Sequence, residues 1–206
     1  MSRYTGPKCR LCRRAGMKLC NKKHCATERR KNPPGVHGAT AGRRPSEYGL
    51  RLREKQKVRI MYGVNERQFR RYYDFAAKQK GETGEVLFQN LELRLDNAVF
   101  RAGFATTRSA SRQLVSHCHI TVNGLPVNIP SYPLKAGDVI AVTGKSKNNT
   151  YFKNLQSTAE KEKQPVAPWI HVDPVALEGK VLYKPTREEL GLGAFNTQYI
   201  IEFYSR

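Results

Sequence analysis

Four cysteines fall within 17 residues near the N-terminus. Cys9, Cys12, Cys20 and Cys25 read as C-x2-C-x7-C-x4-C. Thiolates this close in sequence can converge on one tetrahedral ion, and Zn2+ is the usual occupant of a closed four-thiolate site. Lys8, Arg10, Arg13, Arg14, Lys18, Lys22 and Lys23 surround them and favour thiolate over thiol. Four thiolates also suit an iron–sulfur cluster. Disulfides fit a basic, non-exported chain poorly. His24 could stand in for Cys25, but neighbouring side chains in a tight loop rarely both reach one ion, so Cys25 is preferred. Four thiolates leave no open position for water or substrate, so the metal is structural, not catalytic. Cys118 is alone between His117 and His119 and reads as a small residue at a helix end. His37 sits in a Pro/Gly loop, where a packed or solvated ring is the ordinary outcome and metal or RNA contact the alternative.

The second chemical feature is charge. The 206 residues carry 37 Lys and Arg against 17 Asp and Glu, a net of +20. Residues 1–60 hold 18 against 3, or +15. Repulsion at that density calls for a polyanion, and nucleic acid is the expected partner. An acidic membrane would want bulky apolar anchors beside the charges, and residues 1–45 are rich in Pro, Gly and Cys instead. No apolar run approaches the roughly 20 residues of a bilayer span, and the N-terminus lacks the apolar centre of a signal peptide. A membrane protein and an exported protein are not expected. There is no Walker-type loop, dinucleotide fingerprint or local Ser/His/Asp grouping, so no enzyme activity is expected.

The elements that carry these residues are legible in outline. Residues 32–46 (NPPGVHGATAGRRPS) argue against regular structure. A helix runs from Ser46 to Tyr62, with Gly63 as its stop. Asn65 caps a second, with Gln68 as its capping-box partner, and Phe69, Tyr72, Tyr73 and Ala76 recur at helical spacing. A third helix is expected from a Thr83 cap through Leu87, Leu91 and Leu95 to about Ala102. Thr106 or Thr107 caps a short helix. Strands His119–Val122 and Val127–Ile129 flank the tight turn Asn123-Gly124, and Val139–Val142 follows Gly137-Asp138. Residues 146–168 read as a polar helix and a Pro-containing connector. Trp169–Val172, Lys180–Tyr183 and Gln198–Tyr204 read as strands. Arg108, Ser109, Ser111 and Arg112 occupy the start of the short helix, where N–H groups, hydroxyls and guanidinium groups together suit phosphate. The alternative is ordinary capping. Arg3, Lys8, Arg10, Arg13, Arg14, Arg51, Arg53, Lys55 and Lys57 complete the residues expected at RNA.

Several stretches resemble one family. SRYTGP at 2–7, PPGVHG at 33–38, LREKQKVR at 52–59, YGVNERQFRRYY at 62–73, RLDNAVFRAGFA, RQLVSHCHITVNG, PSYPLKAGD and IIEFYSR are similar, in order, to bacterial small-subunit ribosomal protein four. The cysteines resemble its zinc-bearing form. The resemblance implies an α+β fold. A mostly helical domain at 1–94 would be completed by about 180–206. A second domain at 95–179 would contain a small RNA-binding module at about 95–145, a helix pair on a small sheet. Many members have Gly at the position of Cys118, so Cys118 is expected to be mildly strained if its φ is positive.

The resemblance also implies a role. The family binds the 5′ domain of 16S ribosomal RNA, nucleates assembly of the small subunit, and lies against ribosomal proteins five and three. It sits where messenger RNA enters and influences accuracy there, with Arg43 and Arg44 matching the stretch that faces messenger. The compartment implied is the bacterial cytoplasm, with an organelle left open, and no homo-oligomer is implied. Two other classes are weighed. An RNA-modifying enzyme with the same module would need a catalytic domain that no remaining segment supplies. A zinc-containing DNA regulator would need a recognition helix and commonly a dimer.

Overall fold

The computed structural model describes residues 4–20, 24–40, 45–161, 166–190, 193 and 195–205. Contacts divide the chain into two compact units, Met1–Leu87 with Gly191–Arg206, and Phe88–Leu190. The class is α+β, one helical unit and one with a small antiparallel sheet. Sequence reasoning takes the returning segment from about residue 180, whereas contacts start it at Gly191. The reason is that Glu178–Val181 is a strand of the second unit.

The helical unit contains α1 (Lys8–Ala15), α2 (Ala26–Arg29), a one-turn 3-10 helix at Val36–Gly38, α3 (Glu47–Tyr62), α4 (Glu66–Ala77), the start of α5 (Thr83–Glu92), and the last helix, α10 (Thr197–Tyr204). Local chemistry sets the ends of α3 and α4. Ser46 Oγ accepts from Gly49 N at 3.2 Å and Asn65 Oδ1 from Gln68 N at 2.9 Å. Gly63, at φ 64°, takes the left-handed turn that stops α3.

The segment read as a last strand is helix α10 instead. Its aromatic and β-branched composition suggests strand, but Ile200, Phe203 and Tyr204 sit at i, i+3 and i+4 and form one helical face. Asn196 Oδ1 caps it by accepting from Tyr199 N at 3.3 Å. That face packs inward. Tyr204 stacks on Tyr73 at 4.8 Å between centroids, and Phe203 lies 5.7 Å from Tyr48 on α3.

The second unit holds the rest of α5, α6 (Leu95–Arg101), α7 (Arg108–Ser116), β1 (Ile120–Val122), β2 (Leu125–Pro126), β3 (Val139–Val142), α8 (Gly144–Lys147), α9 (Thr150–Lys161), β4 (Ile170–Asp173) and β5 (Glu178–Val181). The single third helix expected to Ala102 is broken at Leu93–Arg94. Arg94 is extended (φ −70°, ψ 140°), Leu134 N donates to Leu93 O at 2.9 Å, and Leu95 N donates to Tyr132 O at 2.9 Å. These long-range bonds to residues 132–134 override local helix preference.

The sheet is antiparallel in the order β2-β1-β3-β5-β4. Asn123 and Gly124, at φ 51° and 80°, form the two-residue hairpin turn. A turn this tight pairs Val122 with Leu125, so β2 starts at Leu125 and not at Val127. Leu95, Ala98 and Val99 of α6 and Val115 of α7 pack with Ile120, Ile140, Val181, Phe152 and Trp169 into one apolar core. Buried ion pairs fasten the edge of that core. Glu92 accepts from Arg101 Nη2 at 2.6 Å, and Arg94 grips Asp96 through two bonds of 3.0 and 2.7 Å.

Helix α7 ends in a two-bond cap. Cys118 N donates to Val115 O and His119 N to Leu114 O, each at 3.0 Å, with Cys118 at φ 59°. A side chain in that left-handed conformation costs about 1–2 kcal/mol, partly offset by the lower unfolded entropy of a non-glycine residue. Cys118→Gly should therefore stabilise the protein by about 1 kcal/mol in urea unfolding, and Cys118→Val should destabilise it.

Lys55 supplies a second test. Its ammonium is buried, 2.7 Å from Glu66 Oε1 and 4.3 Å from the Phe203 ring centroid. Burial pushes the Glu66 carboxyl up, but bonds from Lys55 and Tyr204 and the charges of Lys55 and Arg59 outweigh it and hold it below its usual value. Stabilisation from Glu66 is thus present above its unfolded pKa of about 4.3 and lost as pH falls through the lower folded value. Glu66→Gln should cost about 2 kcal/mol at neutral pH, less than a fully buried pair because the Glu66 side chain is 45% exposed. Urea titrations should show that difference shrinking at pH values below about 4.

Candidate metal centre and nucleic-acid interface

Helix α1 places Cys9 and Cys12 at i and i+3, on one face. The chain returns through Cys20, and Cys25 leads into α2. The sulfurs of Cys9, Cys20 and Cys25 all lie within 4.8 Å of one another, and Cys20 and Cys25 are 3.5 Å apart. Cys12 is buried and its sulfur hydrogen-bonds that of Cys25. A tetrahedral site with metal–sulfur bonds of about 2.3 Å needs sulfurs about 3.8 Å apart, so the Cys9, Cys20 and Cys25 sulfurs could hold a metal ion, with Cys12 adjoining as the fourth donor. Leu19, Met17, Ile60, Met61 and Phe195 pack around the cluster.

Cys25 is prepared for a charged state. Burial pushes its thiol up, but bonds from the Thr27 hydroxyl and N–H and from the Cys20 and Cys12 sulfurs outweigh it and hold it at about 7. Thr27 Oγ1 lies 2.8 Å from Cys25 Sγ. Thr27 is invisible to a search for ligand spacing. The available signal is a hydroxyl two residues after a candidate thiolate.

The basic residues of α1 divide by face. Arg10 and Arg14 are exposed, one turn apart. Lys8 is half-buried. Arg13 is half-buried and holds the Pro/Gly loop, with Nε donating to Asn32 O at 2.9 Å and Nη2 to Pro33 O at 3.2 Å. The residues that order the sulfurs and the loop therefore share one short helix.

On α3, Arg53 is exposed, but the other cations are matched by carboxylates. Arg51 Nε bonds Glu202 at 2.7 Å, and Lys57 bonds Glu54. Lys55 is a correction. Expected at RNA, it is turned inward onto Glu66 and Phe203, because helical periodicity puts it on the face that α10 covers.

On α7, Thr107 is the cap, accepting from Ala110 N at 3.2 Å. Ser111 is a second correction. It is fully buried and its hydroxyl donates to Asp96 O, so it fastens α7 to α6 and offers nothing to a phosphate. Arg108 Nε donates to Asn97 Oδ1 at 2.7 Å, Arg112 lies 3.5 Å from Asp96 Oδ2, and Ser109 is half-buried. Arg3, Arg43 and Arg44 lie outside the described residues. Among the described residues, no helix is long and apolar enough to cross a membrane.

Comparisons with known proteins match both units. Residues 3–92 match the Ribosomal protein S4/S9 N-terminal domain, and residues 93–140 match the S4 domain. The chain is similar to small ribosomal subunit protein uS4A of Symbiobacterium thermophilum, 51% identical over 212 residues, with all of both chains covered. It is 51% identical over 213 residues to uS4 of Thermus thermophilus and 49% identical over 207 residues to uS4 of Chloroflexus aurantiacus, each again over all of both chains. About half of the aligned positions are thus identical over the full length of each relative, and the chain belongs to the uS4 family of small ribosomal subunit proteins.

Proposed function

We propose that this protein is a structural constituent of the small ribosomal subunit. It binds the 5′ domain of 16S ribosomal RNA directly and nucleates assembly of the particle. The observation that carries this reading is 51% identity over the whole chain to relatives named as small ribosomal subunit proteins. The charge of +15 within residues 1–60 is its physical counterpart. The activity is binding, not catalysis, and the setting is the bacterial cytoplasm. Ribosomal proteins five and three are its neighbours. Messenger RNA passes close to Arg43 and Arg44, where the protein contributes to decoding accuracy. It acts as a single copy and without a membrane.

Folded RNA presents phosphates and 2′-hydroxyls in place of a readable major groove. Arg10, Arg14 and Arg53, exposed in the structure, are the leading phosphate contacts of the helical unit, with Arg3, Lys8, Arg13, Arg51 and Lys57 beside them. Arg108, Ser109 and Arg112 serve the second unit. Each neutralised phosphate releases counterions, so affinity falls steeply with salt.

Cys9, Cys12, Cys20 and Cys25 would hold one structural Zn2+, making this a zinc-binding member of the family. The donor set supports this reading, since the sulfurs of Cys9, Cys20 and Cys25 gather, Cys12 meets Cys25, and Thr27 favours the thiolate form of Cys25. Bound there, zinc cross-links a segment with too little apolar surface to fold by itself. Ordering the segment before binding lowers the entropic cost of meeting RNA.

Filter retention of a 5′-domain transcript, with salt titration and excess duplex DNA and scrambled structured RNA as competitors, tests the assembly role. Retention under competition at moderate salt is expected. Equal loss to every competitor would reduce the protein to a generic polyanion binder. Chelating the metal should accelerate amide exchange across residues 9–38 and weaken binding about tenfold. Arg13→Ala should loosen residues 32–38 with the metal still bound, and Arg13→Lys should not restore them, because one ammonium cannot reproduce the two-pronged grip. Unchanged exchange in both Arg13 variants would show that the loop is ordered by other means.

A further inference from the structure

Helix α4 carries cations that the reading above does not use. Its inner face, Phe69, Tyr73 and Ala76, is buried, with Tyr73 against Tyr204. Its outer face shows Arg67, Arg70, Arg71, Asp74 and Lys78, all exposed. At 3.6 residues per turn, Arg67, Arg71 and Lys78 fall within about 40° of one another, spaced about 6 and about 10.5 Å along the axis. Phe75 flanks this stripe and is 53% exposed.

The contrast with α3 decides what the stripe is for. On α3, Arg51, Lys55, Lys57 and Arg59 each reach a glutamate. Among the described residues, the side chains of Arg67, Arg71 and Lys78 make no hydrogen bond or ion pair. Asp74 lies in the same stripe and also makes none, which leaves the face net positive. A row of aligned, uncompensated cations with an open aromatic ring at its flank has the charge and chemistry of a surface that tracks a nucleic-acid backbone.

We propose that the outer face of α4 is an RNA-contact surface in which Arg67, Arg71 and Lys78 meet phosphates of a folded RNA and Phe75 packs on an adjoining sugar or base. This rests on the RNA-binding function above and assigns it a surface that the basic run at residues 1–60 does not include.

The test uses the full-length, metal-loaded protein and filter retention on both the 5′-domain transcript and the scrambled RNA. The triple variant Arg67→Gln, Arg71→Gln, Lys78→Gln should reduce the salt slope by about 3 and weaken binding at moderate salt at least about tenfold. Arg67→Lys with Arg71→Lys should keep the slope. Phe75→Ala should weaken binding at every salt concentration with the slope unchanged, the signature of an uncharged contact. A thermal midpoint equal to that of the parent protein shows that the triple variant is folded, as expected for side chains fully on the surface. An unchanged slope and affinity in the triple variant overturns the proposal. So does an unchanged slope joined to failure to enter reconstituted particles, which would make α4 a protein contact. Failure of the parent protein to distinguish the transcript from scrambled RNA would sink the assembly role, while the comparison of slopes would still decide the α4 surface.

Discussion

Repulsion between like charges is the constraint on which the rest of this structure depends. The chain has fewer than half as many acidic as basic side chains, and it places several of the acidic ones beside cations that have been drawn out of water. Glu66 meets the ammonium of Lys55, Glu202 meets Arg51, Glu92 meets Arg101 inside the second unit, and Asp96 meets Arg94 and Arg112. Attraction is strongest where water is excluded, so a carboxylate does most at these positions and least on the open surface. The cations that remain outside are surplus to folding. Their distribution is a map of where a polyanion is needed.

The sulfur cluster answers the same constraint by other means. The first 40 residues are too basic and too poor in apolar side chains to condense as an ordinary core. A helix of eight residues, such as α1, is also marginal alone. Four sulfurs and a few apolar neighbours replace the missing core. Arg13 then ties the Pro/Gly loop to the same helix, so one segment of α1 serves both the cluster and the loop.

What the sequence made legible was mostly local. The Ser46 and Asn65 caps, the Gly63 stop and the Asn123-Gly124 turn each depend on a few adjacent residues, and each stands as read. Most of the misreadings have a different cause. Whether Lys55 faces water depends on Glu66 and on Phe203, nearly 150 positions away. The break at Leu93–Arg94 depends on bonds to residues 132–134. Composition argued for a strand at 198–204, while the spacing of Ile200, Phe203 and Tyr204 carried the helix in plain view. The buried hydroxyl of Ser111 follows from a carbonyl 15 residues earlier. Partners that lie far apart in the chain leave no local mark.

Helix α10 has a consequence for how the chain is made. Its Glu202 binds Arg51 across 151 residues and its Tyr204 binds Glu66 across 138. The whole second unit is synthesised between those partners and is continuous in sequence. At about 10 residues per second, the aromatic face of α4 waits on the order of 10 s after synthesis for the helix that covers it. The unit that begins the chain is therefore the last to close. During translation, the aromatic face of α4 stays uncovered until α10 has left the tunnel.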